Sequence, residues 1–591
     1  MRNTTMSERT PAPNIVDVVR RESADPDRPA YSFMGNTRSG IVDDALTYGR
    51  LDLEARRVAV WLAGRGVSSG DRVLLLFPAG LGFLKAFMGC LYAGAVAVPA
   101  PLPDRFTASI GRTAGILHDA QVTAVLSDSG NAPFVTEWLS GHGCAVPCGA
   151  VDDLPGDPAE WRRPDLAGDS LAFLQYTSGS TSDPKGVMVS HGNLMDNLLS
   201  ISRCVGIDEG FRQVGWLPAV HDMGLIGQLL LTAFLGGELL LLPPSGFLRR
   251  PHHWLQLIDW FGANYAGAPN FAYDLCLQKV TDEQIAGLDL SRWRVAFNGA
   301  EPIRDRTLSA FAERFAPAGF QASAFRPCYG LAEAALMVTA TGHRTPMTTR
   351  ADVDAFEAGR LRTPDEGARQ RTLVSSGRAE GCEIRIVEPA TAQPLGDGRV
   401  GEIWVRGTSV ARGYWRRRDC TDETFGAVTT SGDDGFLRTG DLGVLRDGEL
   451  YVTGRLKDLI VVRGRNLYPQ DLEAAAGDSV TAGATGASAV FGLSDTGDDI
   501  VVVQEVKPPA LRASGAAQEL SVSIRTALVA EFGIRPPSVV LVKPGAVRKT
   551  TSGKIRRSLM RQLFLQADLD PFHEDLTDTT QQLRQPTGRN T

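Results

Sequence analysis

The stretch Tyr176-Thr-Ser-Gly-Ser-Thr-Ser-Asp-Pro-Lys-Gly186 follows directly on an apolar run at 171–176. Gly179 and Gly186 let backbone N–H groups approach a polyphosphate, and the hydroxyls of Thr177, Ser178, Ser180 and Thr181 with the Lys185 ammonium offer donors to it. Pro184 stands where a Walker A loop needs its second glycine, so this is a different phosphate-binding chemistry. A flexible polar turn is the alternative on residues alone.

Further polar clusters follow in order: Phe297-Asn-Gly-Ala-Glu-Pro302, Tyr329-Gly-Leu-Ala-Glu333, Arg438-Thr-Gly-Asp-Leu442, Gly454-Arg-Leu-Lys-Asp458 and Thr551-Ser-Gly-Lys554. Together with the loop, these six motifs resemble the acyl-adenylate-forming (AMP-binding) superfamily over nearly the whole chain. The resemblance implies ATP and Mg²⁺. Asn298, Gly299, Ala300, Glu301, Tyr329 and Gly330 would frame adenine, the aromatic ring stacking on the base. Glu333 with Thr177 would hold Mg²⁺, a hard cation that takes oxygen ligands. Asp441 would accept from the ribose hydroxyls, with Arg455 beside it. Lys554 would bridge the substrate carboxylate and the α-phosphate, stabilising charge as it develops. Lys457 and Asp458 would be the hinge. Asp441 read alone could be a turn aspartate, and Lys554 could be one cation of a solvated helix start beside Arg556 and Arg557. Ala332 departs from the threonine of many relatives and removes one hydroxyl from the phosphate site.

Trp216-Leu-Pro-Ala-Val-His-Asp-Met-Gly-Leu-Ile226 carries an HxxG that resembles the acyl site of carboxylate-activating relatives, with His221, Asp222, Met223, Gly224, Leu225 and Ile226 as acyl-binding candidates. His221 is the second catalytic candidate; on residues alone it could be a core histidine, and the apolar run 225–231 could be tunnel wall or core. Gly267-Ala-Pro-Asn-Phe-Ala-Tyr-Asp-Leu-Cys276 resembles the signature of the fatty acyl-AMP ligases, which load an acyl carrier protein instead of coenzyme A. Those enzymes carry an insertion after the Tyr-Gly-x-x-Glu motif. Residues 345–372 are long and polar, read as strand-free, with Val353, Phe356 and Leu361 as apolar anchors. The implied function is fatty-acid activation with ATP and transfer to the phosphopantetheine thiol of a carrier protein. A fatty acyl-CoA synthetase shares every ATP motif, and a non-catalytic acyl-nucleotide-binding protein is the remote alternative.

The elements that position these residues read as α/β, with largely parallel sheets. Strands are expected at 71–77, 171–176 and 295–298, and helices at 83–97 and from about Asp305. From about Glu383 short strands with glycine turns suggest a β-rich subdomain. Then comes a small mobile α+β piece: strand 459–463, helix 469–476, strand 500–506, helix 520–532 and strand 538–543. The expected division is 1–454 for the nucleotide and acyl sites, 455–568 for a lid carrying Lys554, and 569–591 for a frayed polar tail. The 591 residues are too many for one core, and a net charge of −7 speaks against a nucleic-acid protein. The apolar stretch 223–242 is broken by Gln228, Thr232, Gly236, Gly237 and Glu238, which reads as a buried helix and strand rather than a membrane span. Residues 1–30 carry no secretory h-region, and eight scattered cysteines fit reduced thiols in the cytoplasm.

Overall fold

The computed structural model describes residues 12–35, 42–103, 109–177, 184–207, 210–480, 485–494, 499–550 and 553–584. Six strands form the first sheet in the order Cys148–Ala150, Ala124–Ser127, Arg72–Phe77, Val96–Pro101, Leu171–Thr177, Lys185–Ser190, all parallel but for the last pair. A nine-stranded sheet lies beside it. Its parallel centre runs Phe325–Gly330, Val295–Asn298, Tyr265–Ala268, Arg212–Gly215, Glu238–Leu241, Pro29–Phe33. Residues 73–77, Tyr265–Ala268 and Val295–Asn298 are buried throughout, as largely apolar strands covered on both faces should be.

Four antiparallel strands, Cys382–Val387, Gly401–Gly407, Leu437–Arg446 and Glu449–Arg455, make the β-rich part, and the third was not anticipated. The last part is the sheet Thr485–Gly492, Ile500–Val506, Ser538–Val542, Pro571–Asp575 with helices Pro469–Asp478, Ala516–Phe532 and Arg557–Leu565. Two apolar cores lie within this part. One holds Leu472, Val502, Ile524 and Leu528, the other Val503, Val540, Met560 and Phe564. Successive residues of Ile500–Val506 face opposite sides of the sheet, which is how one strand serves both cores.

Three expectations are corrected. The helix expected at 83–97 spans Gly82–Tyr92, and Gly94 at φ +70° turns the chain into the strand Val96–Pro101. Its prolines lie beyond Ala97, the residue that pairs with Phe173 of the neighbouring strand, so the missing N–H groups fall past that pairing. The insertion is not strand-free: Thr348–Asp352 pairs antiparallel with Gln370–Val374 around the short helix Val353–Glu357. Residues after 568 are not simply a frayed tail. Pro571–Asp575 pairs with Ser538–Val542, Arg525 bonds Asp575 at 2.7 Å, and the helix Asp578–Leu583 buries Thr580. Among the described residues, no helix is long and apolar enough to cross a membrane. The 223–242 stretch folds as a helical run ending at Leu235 and the strand Glu238–Leu241.

Candidate active site

Parallel strands deliver the site, because loops leaving their carboxyl ends converge on one crevice. Asn298 ends one strand, Tyr329 and Gly330 end the next, and Trp216 follows a third. Together with Asp441 and Arg455 from the antiparallel sheet and Lys554 from the last part of the chain, these segments enclose a cavity of about 1840 Å³. Thr177, Lys185, His221, Asp222, Met223, Ala300, Glu301, Tyr329, Gly330, Glu333, Lys457 and Asp458 line it as well. Asn298 and Gly299 stand behind this wall; Asn298 is fully buried, with Nδ2 donating to Asn270 Oδ1 at 3.4 Å. Leu225 and Ile226 pack in the core rather than against the cavity, and Gly224 has no room for a Cβ against the Pro218 carbonyl. Ser178, Gly179, Ser180 and Thr181 lie outside the described residues.

The ribose-side candidates form one network. The Tyr329 hydroxyl donates to Asp441 Oδ2 at 2.9 Å, and Arg455 Nε stands 3.3 Å from Oδ1. Asp441 is therefore fixed by two partners, which a bare turn aspartate would not need. Lys554 lies deep, and its pKa is pushed down by burial and by the Arg455 guanidinium, against the pull of Asp441, Asp222 and Glu301. That environment is unlike a solvated helix start. Glu301 accepts from the Phe271 N–H at 2.5 Å, which ties the Gly267–Cys276 motif to the nucleotide wall, and burial pushes its pKa up.

At the acyl end, burial, helped by Arg112 and Lys554, pushes His221 down to about 4, so the imidazole is neutral at pH 7. Its Nε2 is buried without a partner among the described residues, unlike a satisfied core histidine. Asp222 accepts from the Met223 N–H at 2.8 Å, and burial raises its pKa. From there the cavity continues down the sheet past Phe297, Cys328, Val295 and Arg326 to Cys204 and Val205 of the helix His191–Val205. Three residue steps from Tyr329 to Arg326 make this arm about 10 Å long at the strand rise of ~3.3 Å.

Glu333 is held by the Tyr414 hydroxyl at 2.9 Å, and burial pushes its carboxyl up, a charge that a cation would stabilise. No group of three His, Cys, Asp or Glu among the described residues could hold a metal alone. Mg²⁺ fits nonetheless, because it needs one or two carboxylates when ATP phosphates supply the remaining ligands. Tyr414 was missed in the sequence; the Gly413-Tyr414-Trp415 turn was the available signal. Arg557 was also missed. It bonds Asp458, the hinge candidate, at 2.9 Å and Glu473 at 2.7 Å, and those carboxylates raise its pKa against the effect of burial.

The AMP-binding enzyme model matches residues 19–415. The chain belongs to the AMP-binding enzyme family. This AMP-binding enzyme is 40% identical over 559 residues to the medium-chain-fatty-acid–[acyl-carrier-protein] ligase JamA of Moorena producens, covering 92% of this chain and 94% of that one. It is 38% identical to the long-chain-fatty-acid–AMP ligase FadD26 of Mycobacterium marinum, over 91% and 95% of the two chains. Its fold matches a fatty acyl-adenylate ligase of L. pneumophila, solved with acyl adenylate and pyrophosphate, at TM-score 0.75 and 35% identity, covering 99% of this chain and 100% of that one.

Proposed function

We propose that this enzyme activates a medium- or long-chain fatty acid as its acyl-AMP and transfers the acyl group to the phosphopantetheine thiol of an acyl carrier protein. One observation carries the reading: a single cavity joins the Asp441–Arg455–Lys554 end to a channel walled by Phe297, Val295 and Cys328. In the first step a carboxylate oxygen attacks the α-phosphorus of ATP, the bond to the bridging oxygen breaks, and pyrophosphate leaves. Lys554 stabilises the charge that develops between carboxylate and α-phosphate. His221 is neutral and contributes a hydrogen-bonding atom, not a charge. Bound Mg²⁺, held by Glu333 and Thr177, would neutralise phosphate charge. Asp441 and Arg455 orient the ribose, while Tyr329 with Ala300 and Glu301 frames the base.

In the second step the thiol sulfur attacks the acyl carbonyl, the carbon–oxygen bond to phosphate breaks, AMP leaves, and the thiol proton goes to solvent. The residues after 454 rotate as a lid about Lys457 and Asp458 between the steps. Relatives named for fatty-acid–carrier-protein and fatty-acid–AMP ligation support this reading, as do the eight free thiols for a cytoplasmic setting. The test offers fatty acids of graded length with ATP, then compares coenzyme A with a holo carrier protein. Pyrophosphate release driven better by amino acids than by fatty acids would overturn the acyl assignment. Equal rates with both thiols would favour a fatty acyl-CoA synthetase.

A further inference from the structure

The segment Ala411-Arg-Gly-Tyr-Trp-Arg-Arg417 belongs to none of the motifs above, yet it braces both stems of the phosphate loop. On the Lys185 side, Trp415 N–H donates to the Gly186 carbonyl at 2.7 Å and Met188 N–H to the Gly413 carbonyl at 2.9 Å. On the Thr177 side, Arg417 bonds Asp119 at 3.1 Å, and Asp119 accepts from the Tyr176 hydroxyl at 2.7 Å. Ala411 N–H also donates to the Glu333 carbonyl at 2.8 Å. Tyr414 sits at the centre. Its hydroxyl donates to Glu333 Oε1 at 2.9 Å, and the Lys185 ammonium lies 5.1 Å over its ring. The ring is itself held edge-on by Phe425 at 5.3 Å, and its backbone N–H by Thr421 Oγ1 at 3.0 Å.

We propose that Tyr414 is a positioning residue that sets the metal-facing carboxylate of Glu333 and the phosphate-facing ammonium of Lys185 at one fixed spacing. The proposal rests on the reading that Glu333 holds the Mg²⁺ of ATP. One rigid ring touches both groups, so the cation and the phosphate charge it balances are registered through one side chain. A purely structural tyrosine would affect melting but not metal affinity.

Tyr414→Phe removes the hydroxyl and keeps the ring beneath Lys185. The expected result is a rise of roughly 10-fold or more in the Mg²⁺ concentration for half-maximal pyrophosphate release, as losing an outer-shell partner of a metal ligand typically produces. The fatty-acid KM stays unchanged. Mn²⁺ titrated with a non-hydrolysable ATP analogue and followed by electron paramagnetic resonance should weaken by a similar factor. Tyr414→Leu should raise the KM for ATP as well. Thr421→Ala, which loosens Tyr414 without touching either charge, should shift Mn²⁺ affinity in the same direction by about two- to threefold, and it carries the test should Tyr414→Phe not fold. Wild-type Mn²⁺ affinity in a folded Tyr414→Phe or Thr421→Ala protein overturns the proposal. A wild-type enzyme that releases no pyrophosphate with any fatty acid overturns the proposed function instead, and the Mn²⁺ titration still decides the role of Tyr414.

Discussion

Arg371→Ala should release the last part of the chain from the insertion and let acyl-AMP leak. Arg371 extends from the insertion strand Gln370–Val374, bonds Asp471 of the helix Pro469–Asp478 at 2.5 Å, and lies 4.7 Å over the Phe356 ring. Phe356 packs on Tyr468 at 5.4 Å, so two side-chain pairs bridge the insertion to the last part of the chain. Both ionic partners are about three-quarters buried, which places the pair near 1 kcal/mol. The Arg371 guanidinium also lies 5.7 Å over the Tyr468 ring across the same contact, which adds about 1 kcal/mol. Losing both costs about 2 kcal/mol of adenylating-state preference, roughly 30-fold in the equilibrium between closed and rotated arrangements. Arg465–Glu357 at 2.6 Å and the Arg369 bond to the Glu531 carbonyl at 2.7 Å remain, so the lid stays attached. The assay follows pyrophosphate release beside acyl-AMP hydrolysis and acyl-CoA yield by mass spectrometry. Release should stay near normal while hydrolysis or transfer to coenzyme A rises severalfold. A variant whose hydrolysis and acyl-CoA yield match the wild type would refute the restraint. A point substitution is preferable to deleting residues 351–370. The deletion would remove Phe356 and Leu361 from the cluster covering Leu442, Val444 and Tyr451, and so would expose a core.

Lys554→Ala should slow acyl-AMP formation roughly 10²–10³-fold while sparing transfer from pre-formed acyl-AMP; equal damage to both steps would make the lysine structural. Because burial lowers the Lys554 pKa, the ammonium is lost as pH rises through that lowered value, so adenylation should fall on an alkaline limb below the ordinary lysine range. Lys554→Arg should move that limb upward even if the rate drops, and an unmoved limb would assign it to another group. Cys328→Trp should block the channel and shift preference to shorter acids, read as kcat/KM across chain lengths. Arg557→Met leaves Glu473 and Asp458 buried without their cation and should destabilise the lid by about 3–5 kcal/mol in thermal or urea melts.

Strand–loop–helix units were readable wherever burial was two-sided. The strand Val295–Asn298 and the helix Asp305–Phe315, with Leu308, Phe311 and Phe315 inward, lie where periodicity placed them. Legibility failed where tertiary pairing overrode local preference. Val96–Pro101 contains two prolines yet pairs along its length with Arg72–Phe77. Gln370–Val374 is largely polar and becomes a strand because its hairpin partner and the cluster beneath it supply what its own pattern lacks. The nucleotide-side candidates Asn298, Tyr329, Asp441, Arg455 and Lys554 were legible because each stands next to a glycine. Gly330, for instance, has no room for a Cβ against the Leu336 carbonyl. Leu225 and Ile226 were not separable from tunnel wall, because an apolar residue reads the same facing a core or a void.

The electrostatics of Lys554 link the two chemical steps. Burial disfavours its charge and Arg455 adds repulsion, so the ammonium is sustained by Asp441, Asp222 and Glu301. All three belong to segments that precede the proposed hinge at Lys457 and Asp458. A polyphosphate adds strong negative charge beside the ammonium and favours the inserted lysine. Once pyrophosphate departs, part of that attraction is gone while the desolvation penalty persists. The balance then moves toward withdrawal of the lysine. The insertion contacts at Arg371, Arg369 and Glu357 oppose that withdrawal, because they hold the same part of the chain through Asp471, Glu531 and Arg465. Weakening those contacts and removing pyrophosphate therefore act on one equilibrium in the same direction. Their effects on acyl-AMP leakage should multiply, and a pyrophosphatase added to Arg371→Ala should give a larger relative gain than either change alone.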